Sequence, residues 1–323
     1  MKYIELHIHL DGSIRLNTLY ELSKTTESIE LFSRKVSMAG RQSFSSLTDC
    51  LSVFSNILSI ISGDEKILER IGYEFVEDQY NNNVLYTEVR YCPHLLRGNA
   101  LSNIQVIDSI NRGIKKGLSK YPIYINTILC AIREFPQWTP DIVDLAILYK
   151  DKGIVGIDLA GDEIQFNNEL YIKDFKRAYD NGINITIHSG ETGNEINIKT
   201  AIENLHATRI GHGYASIKNK EILNFIKNQN IHLECCPSSS LGTKSLTSLC
   251  PIKEFWNENL NYSINSDDPS VFGIKYKDEI DILQKDIGID EKEIKRCMIN
   301  SIKSAFTTQE VKDKIIKILN NIC

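Results

Sequence analysis

Eight short apolar runs, separated by longer amphipathic segments, are the feature that most constrains the fold of this chain. The runs span residues 3–8, 84–91, 123–132, 154–160, 183–188, 208–212, 231–236 and 261–265. Helical patterns lie between them, most clearly over 64–80, 103–121, 140–153 and 219–230. Strands that alternate with helices pair in parallel through right-handed crossovers, and eight such units are the number in a barrel. We therefore predict an α/β protein with a (β/α)8 TIM barrel.

A doubly wound open sheet is the main alternative to a barrel. No Gly-x-Gly-x-x-Gly motif follows the first run, where the sequence is His-Leu-Asp-Gly instead. No Pro/Gly/Ser-rich linker or change of composition divides the chain, so we predict one domain over residues 1–323. Residues 15–62 and 276–321 exceed the repeating unit and are mostly helical in pattern. We expect them to form extra helices between strands 1 and 2 and at the C-terminus.

Composition and charge exclude several classes of function. The 323 residues carry a formal net charge of −5 and contain no basic run, which argues against nucleic-acid or membrane-surface binding. The sequence shows neither a secretion signal nor an apolar stretch long enough to cross a bilayer. Its eight cysteines are scattered without a Cys-x-x-Cys pair, and we expect them to be reduced and buried. A cytoplasmic location without an obligate protein partner is the resulting expectation.

The first apolar run has a polar face that suits metal binding. In "IELHIHLDGS", residues 4–13, the aliphatic side chains alternate with Glu5, His7, His9 and Asp11. Because successive side chains of a strand point to opposite faces, His7 and His9 lie on the same side, about 7 Å apart at Cα. Both imidazoles can then reach one ion, although a lone pair of this kind is more often two hydrogen-bonded core histidines.

Further reactive groups follow the later strands. They occur in "DLAGDE" (158–163), "HSGE" (188–191), "GHG" (211–213) and "SDDP" (266–269). In a barrel these segments meet at the C-terminal mouth, where such enzymes hold their active sites. His188 and either Asp267 or Asp268 could therefore join His7 and His9. Three imidazoles and one carboxylate suit Zn²⁺ with an open position for catalysis.

The segments "HIHLDGS", "DLAGDE", "HSGE", "RIGHG" and "INSDDP", in this order, resemble the adenosine deaminases among the metal-dependent hydrolases. The resemblance runs nearly end to end and includes "EVRYCPHLL" and "PQWTP", which carry no obvious chemistry. It implies a zinc-dependent enzyme that hydrolyses adenosine, and 2′-deoxyadenosine, to inosine and ammonia in purine salvage. A small nucleoside is then the implied partner, and one Zn²⁺ per chain the implied cofactor.

The resemblance also implies roles for individual residues. His7, His9, His188 and Asp267 match the zinc ligands. Glu191 matches the acid that gives a proton to purine N1, and His212 the residue that steadies the attacking hydroxide. Asp268 is implied to bind N7 or to orient the water. The implied substrate contacts are His9, Asp11, Gly161, Asp268, Leu51, Phe54 and Ser239.

Two of these substrate contacts lie on a predicted helix whose role has two interpretations. Leu47, Cys50, Leu51 and Phe54 recur at helical spacing and would by default face the core. Their distance from "YEFVE" resembles the family's helix over the ribose, so we favour a lid. The segment "CPSSS" (236–240) departs from the CPTSN of many members, which leaves the polar wall around Ser239 less defined.

Two other classes of function are alternatives to adenosine deamination. The same chemistry could serve adenine, AMP, N6-methyl-AMP or methylthioadenosine. Asp11 argues against the nucleotides, because a carboxylate accepts a hydrogen bond from a ribose 5′-hydroxyl and repels a 5′-phosphate. A non-catalytic, growth-factor-like member that only binds adenosine is the remaining alternative. The complete set of implied ligands, together with Glu191, argues against that alternative.

Overall fold

The computed structural model describes residues 1–23, 44–192 and 194–322. Its strands are β1 (Tyr3–His9), β2 (Val84–Tyr91), β3 (Tyr124–Ile132), β4 (Ile154–Ala160), β5 (Asn184–Ser189), β6 (Arg209–His212), β7 (His232–Cys235) and β8 (Tyr262–Ile264). Each strand pairs in parallel with the next, in the order β1 to β8. The eight strands form a nearly closed barrel, which confirms the predicted fold class.

Helices lie between the strands on the outside of this barrel. Up to β5 they are α1 (Leu16–Leu22), α2 (Leu47–Ile61), α3 (Glu65–Asn81), α4 (Pro93–Leu96), α5 (Asn103–Leu118), α6 (Thr139–Tyr149) and α7 (Ile172–Asp180). After β5 they are α8 (Glu195–Asn204), α9 (Lys220–Asn228), α10 (Pro237–Gly242), α11 (Cys250–Asn257), α12 (Pro269–Phe272), α13 (Tyr276–Ile287), α14 (Glu291–Ser304) and α15 (Gln309–Ile322). The four helices predicted between strands are all present.

The predicted extra helices are found where the structure describes the chain. Helices α1 and α2 belong to the long segment 15–62, of which residues 24–43 lie outside the described residues. Helices α13, α14 and α15 follow the last strand, as the pattern over 276–321 predicts. Local signals explain the starts of two helices. The Asp64 side chain accepts bonds from the first turn of α3, and Ser102 with Gln105 forms a capping box at α5.

The ring closes at a seam between β1 and the residues that follow β8, through backbone hydrogen bonds and a side-chain contact. The backbone of β1 meets the residues after β8 at an isolated bridge between Ile8 and Asp267. The His9 amide donates to the Asp267 carbonyl at 2.9 Å, and the Asp267 amide donates to the His7 carbonyl at 3.1 Å. Glu5 accepts a bond from the Ser266 amide at 2.9 Å. The seam therefore passes through the residues predicted to bind metal.

The aliphatic face predicted for β1 is part of the core, since Ile4, Leu6 and Ile8 are fully buried. Most cysteines of the described part of the chain are buried free thiols, as predicted. Cys250 is exposed, against that prediction, because it begins α11 at the surface. Cys323 lies outside the described residues. Among the described residues, no helix combines the length and apolar character that a bilayer-spanning segment needs.

Candidate active site

Four side chains at the carboxyl ends of the strands form a compact donor set. His7 and His9 come from β1, His188 from β5, and Asp267 follows β8. Each offers one ligand atom, and these four atoms all lie within 4.8 Å of one another. The Asp267 Oδ1 atom is 3.2 Å from His7 Nε2 and 3.4 Å from His9 Nε2, and His9 Nε2 is 3.2 Å from His188 Nε2. The structure thus brings together all four predicted ligands.

Two properties of the donor set suit a metal ion: an unpaired buried nitrogen and a neutral imidazole. His7 Nε2 is buried and has no hydrogen-bond partner among the described residues, although it points toward Asp267. An orphaned buried nitrogen is costly unless something binds it. Burial, and secondarily the neighbouring His188, hold the pKa of His9 well below its usual range despite the opposing Asp267 charge. Neutral imidazole is the form that binds a metal, and three imidazoles with one carboxylate suit zinc.

A shell of buried charges orients two of these histidines. His7 Nδ1 lies 2.7 Å from Glu234 Oε2, and His188 Nδ1 lies 2.8 Å from Asp158 Oδ2. Arg90 bridges the two carboxylates, donating to Asp158 at 3.0 Å and to Glu234 at 2.8 Å. Burial opposes ionisation of Asp158, but His188 and Arg90 outweigh it and hold its pKa below the usual range. Such outer partners fix the tautomer and ring orientation of metal ligands.

Sequence reasoning missed this charged shell. Asp158 lies inside the quoted "DLAGDE", but the sequence assigns it no role, because a single acidic residue within a strand forms no recognisable motif. Glu234 and Arg90 stand in the strand runs "IHLECC" and "VLYTEVRY". A charged residue inside an apolar strand run indicates such a shell. The strand is expected to be buried, and charges are rarely buried unless they are paired.

Glu191 and His212 lie beside the donor set. His212 Nε2 is 3.7 Å from Glu191 Oε2, and Ser245 donates a hydrogen bond to Glu191 Oε1 at 3.0 Å. Burial, followed by the negative charges of Asp267 and Glu163, raises the pKa of Glu191 to about 8. This raised pKa favours the protonated form of Glu191, which is the form that a general acid needs. Burial keeps the pKa of His212 well below its usual range, so that its imidazole is neutral.

Asp11 and Asp268 form an acidic corner of the same site. Burial, and then the charge of Asp267, raises the pKa of Asp268 well above its usual value. Burial raises the pKa of Asp11 to about 6. Oδ1 of each is buried without a hydrogen-bond partner in the described part of the chain. Asp268 packs directly against Gly12, which is possible because Gly12 has no side chain: a Cβ there would lie 1.9 Å from Asp268 Oδ1.

A cavity of about 310 Å³ opens over these groups, within the range of small-molecule sites. Its walls combine the polar site with aliphatic and aromatic side chains from α2 and β3. Predicted residues that line it are His9, Asp11, Leu51, Phe54, Gly161, His188, Glu191, His212, Asp267 and Asp268. Gly161 has a left-handed backbone with φ of 101°, and Glu134 lies against it, where a Cβ would be 2.3 Å from Oε2.

Two other predictions have mixed outcomes in the structure. The helical stripe divides, since Cys50 is 2% exposed in the core while Leu47, Leu51 and Phe54 line the cavity. Ser239 does not line the cavity. It is buried and donates to Asp267 Oδ2 at 2.6 Å, so its contact with substrate stays a prediction.

The remaining histidines take no part in the site. His232 forms hydrogen bonds with Asn261 at 2.8 Å and Ser263 at 2.9 Å, away from the donor set. His206 stacks on Tyr179. His94 stacks on Trp138 and lies 3.0 Å from the Asn103 amide, which indicates a structural role.

An eight-stranded barrel that holds imidazoles and carboxylates at its C-terminal mouth is the arrangement typical of metal-dependent barrel hydrolases. The profile of the adenosine deaminase family matches residues 3–322. The chain is 36% identical to an adenosine deaminase of Xenopus tropicalis, with 97% of this chain and 93% of the relative aligned. It is 33% identical to one of Clostridium perfringens, with 97% and 96% aligned. The chain belongs to the adenosine deaminase family and is a hydrolase that acts on C–N bonds.

Solved structures give the same fold. The adenine deaminase of Arthrobacter aurescens superimposes with a TM-score of 0.90 at 21% identity, over 99% of this chain and 98% of the other. The N6-mAMP deaminase of Arabidopsis superimposes with a TM-score of 0.88 at 26% identity, over 99% and 98%. The barrel is therefore shared among deaminases of different 6-aminopurines, and substrate choice depends on the side chains of the pocket.

Proposed function

We propose that this protein hydrolyses adenosine, and 2′-deoxyadenosine, to inosine and ammonia. One observation carries the proposal. A buried carboxyl whose surroundings raise its pKa, Glu191, lines a cavity together with three of the four converging metal donors, His9, His188 and Asp267. Hydrolysis at C6 of a purine needs an acid for the ring nitrogen and an activated water, and this cavity offers a residue for each. The similar proteins from Xenopus tropicalis and Clostridium perfringens are adenosine deaminases, which supports adenosine as the substrate.

His7, His9, His188 and Asp267 are the residues that would hold the ion. We assign one zinc per chain, because imidazoles suit zinc better than they suit magnesium or calcium. When bound, the ion supplies Lewis acidity that lowers the pKa of water at the site. Glu234 and Asp158 orient the rings of His7 and His188 from outside.

Glu191 is the proposed acid of the reaction. Its proton passes to purine N1, which draws electrons from C6 and makes that carbon electrophilic. Water then adds to C6 with loss of one proton, and the amino group takes up a proton and leaves as ammonia. Loss of the remaining hydroxyl proton forms the C6 carbonyl of inosine and returns a proton to Glu191. The sum is adenosine plus water giving inosine plus ammonia.

His212 and Asp268 complete the proposed chemistry. A neutral His212 can accept a hydrogen bond from the attacking water and stabilise the charge that develops during its addition. Asp268 faces the same cavity with an unpartnered Oδ1. Because burial, and then the charge of Asp267, raise its pKa, Asp268 can donate a hydrogen bond to N7 or orient the water.

Recognition of the nucleoside is assigned to the cavity wall. The Gly161 amide is proposed to bind N3, and Asp11 the ribose 5′-hydroxyl, with His9 close by. Leu51 and Phe54 of α2 provide an apolar cover on the ribose side. Ser239 would act from beneath, through Asp267.

A substrate panel tests the proposal. Adenosine, 2′-deoxyadenosine, methylthioadenosine, adenine, AMP and N6-methyl-AMP are offered to the zinc-loaded protein, and the ultraviolet change of 6-amino loss is followed. We expect adenosine and 2′-deoxyadenosine to react best. Failure of all six substrates with the metal present would contradict the proposal and favour a non-catalytic binding protein.

Deamination of another 6-aminopurine is the second candidate. It is favoured by the likeness to the adenine deaminase and to the N6-mAMP deaminase, whose barrels superimpose over nearly the whole chain. A best substrate of adenine or N6-methyl-AMP in the panel would support it.

We further propose that residues 1–323 act as one domain, in the cytoplasm and without an obligate protein partner. The buried thiols support a reducing compartment, because free cysteines persist where disulfides do not form. The even continuity of the barrel from β1 to β8 supports a single domain.

A further inference from the structure

Glu191 makes a contact that the proposed chemistry does not use. After α10 the chain returns over the site, and Ser245 lies 3.0 Å from Glu191 Oε1 through its hydroxyl. The Ser245 hydroxyl also lies 2.8 Å from Thr243 Oγ1. In the described part of the chain, Ser245 is the single hydrogen-bond donor recorded for the Glu191 carboxyl.

We propose that Ser245 is a positioning residue that holds the Glu191 carboxyl so that its proton resides on Oε2. The proposal rests on the proposed function, in which Glu191 gives a proton to N1. Ser245 would act only through Glu191, because it is not among the residues that line the cavity.

The order of donors supports this assignment. A proton on Oε1 would be donated to the Ser245 oxygen. Oε2 would then carry no proton and could only accept a hydrogen bond. A carboxyl in that state cannot protonate purine N1. If Thr243 donates to the Ser245 oxygen, the Ser245 hydrogen is left for Glu191 Oε1. The Glu191 proton is then confined to Oε2, the oxygen nearer to His212.

Burial and several charged groups change the pKa of Glu191, and the Ser245 hydroxyl opposes the largest of these changes. Burial raises the pKa of Glu191 most, and Asp267 and Glu163 raise it further, while Ser245 and His7 lower it. His212 is 3.7 Å away. The charge of Glu191 is also felt by Cys50 and Asp268. Because a hydrogen bond donated to a carboxylate stabilises its ionised form, loss of Ser245 should make Glu191 harder to ionise.

The pH dependence of kcat/KM for adenosine tests the inference in the zinc-loaded protein. Activity requires protonated Glu191, so kcat/KM falls as pH rises through the pKa of this group, and that fall is the basic limb. In Ser245→Ala we expect this limb to move up by about one pH unit, the low end for a hydrogen bond to a charged group. The plateau should fall about tenfold, since Glu191 loses its fixed orientation.

Two further variants separate positioning from general damage. Ser245→Thr keeps the hydroxyl and should return the limb to the wild-type position. Ser248→Ala changes an exposed serine of the same loop and should leave the whole profile unchanged. Zinc content and melting temperature should match wild type in all three variants.

A double variant isolates the route through Glu191. In a Glu191→Gln background, Ser245→Ala should alter the residual rate no more than Ser248→Ala does, because no acid is left to position. A Ser245→Ala profile that coincides with wild type would overturn the role of Ser245 and leave the proposed function standing. Absence of adenosine turnover in the zinc-loaded wild type would instead overturn the proposed function, and this inference with it.

Discussion

Replacement of Asp11 by asparagine should change the choice between adenosine and AMP. Asp11 is 8% exposed at the cavity, with one carboxylate oxygen that has no hydrogen-bond partner among the described residues. Its pKa of about 6 leaves it mostly ionised at pH 7.5. A ribose 5′-hydroxyl can donate to this carboxylate. A 5′-phosphate at the same place would bring a second negative charge within about 4 Å.

The size of the effect follows from that separation. Two unit charges about 4 Å apart repel by about 4 kcal/mol at an effective dielectric constant near 20. Each 1.4 kcal/mol is a factor of ten, so adenosine should be preferred over AMP by about 10³ in kcat/KM. Asp11→Asn removes the repulsion but also a hydrogen bond to a charged acceptor, worth about 1.5–3 kcal/mol. We expect adenosine to lose about tenfold or more, and the preference to narrow by at least a hundredfold.

Steady-state kinetics with three substrates measure this. Adenosine and AMP give the ratio, and 5′-deoxyadenosine, which lacks the hydroxyl donor, should be affected little by Asp11→Asn. Asp151→Asn, at an exposed position, is the matched control and should leave the ratio unchanged. Efficient AMP turnover by the unmodified enzyme, or an unaltered ratio in Asp11→Asn, would refute the reasoning.

Four further predictions concern the metal, the acid and the buried charges. Purified protein should contain about one zinc per chain, and His188→Ala should lose both zinc and turnover, measured by metal analysis and assay; full activity without metal would contradict this. Glu191→Gln should keep zinc but lose most of kcat, because an amide cannot protonate N1. The pKa of Glu191 is raised from 4.5 to about 8, so its contribution favours the native state below pH 4.5 and is lost as pH rises through 8. Thermal melts of metal-free protein should therefore show Glu191→Gln more stable than wild type at pH 8 and the difference vanishing near pH 4. Arg90→Met should lower the free energy of unfolding by about 3–5 kcal/mol, because it removes the cation that pairs with two buried carboxylates, whereas Arg112→Met, at a surface pair 48% exposed, should lower it by at most about 1 kcal/mol.

Most of the barrel could be predicted from the sequence because each strand is a compact apolar run with a helical pattern after it. The predicted strand over 231–236 is observed as His232–Cys235, and the predicted helix over 64–80 as Glu65–Asn81. Such boundaries differ by a residue or two because capping groups, such as Asp64 before α3, decide where a helix begins.

The donor set was also predictable, because each member stands in a short motif at the end of a strand. The contacts around the donor set could not be predicted. Ser245 meets Glu191 across 54 positions of sequence, and Arg90 meets Glu234 across 144. Contacts of this kind depend on how loops return over the barrel and how strands stagger. A single sequence has no periodicity that reports either one.

The strain in the backbone is the last feature that sequence patterns did not show, and it connects the fold to the site. His212 and Asp267 both have left-handed backbones, with φ of 64° and 61°. Such a conformation costs a residue other than glycine about 1–3 kcal/mol and persists only where the surroundings enforce it. At Asp267 the surroundings are the seam itself, because its amide and carbonyl bond to His7 and His9 across the closure of the barrel. Ring closure therefore holds the carboxylate against the two imidazoles before any ligand arrives. An ion shared by His7, His9 and Asp267 would in turn tie the first strand to the last, so that metal binding and barrel closure support each other.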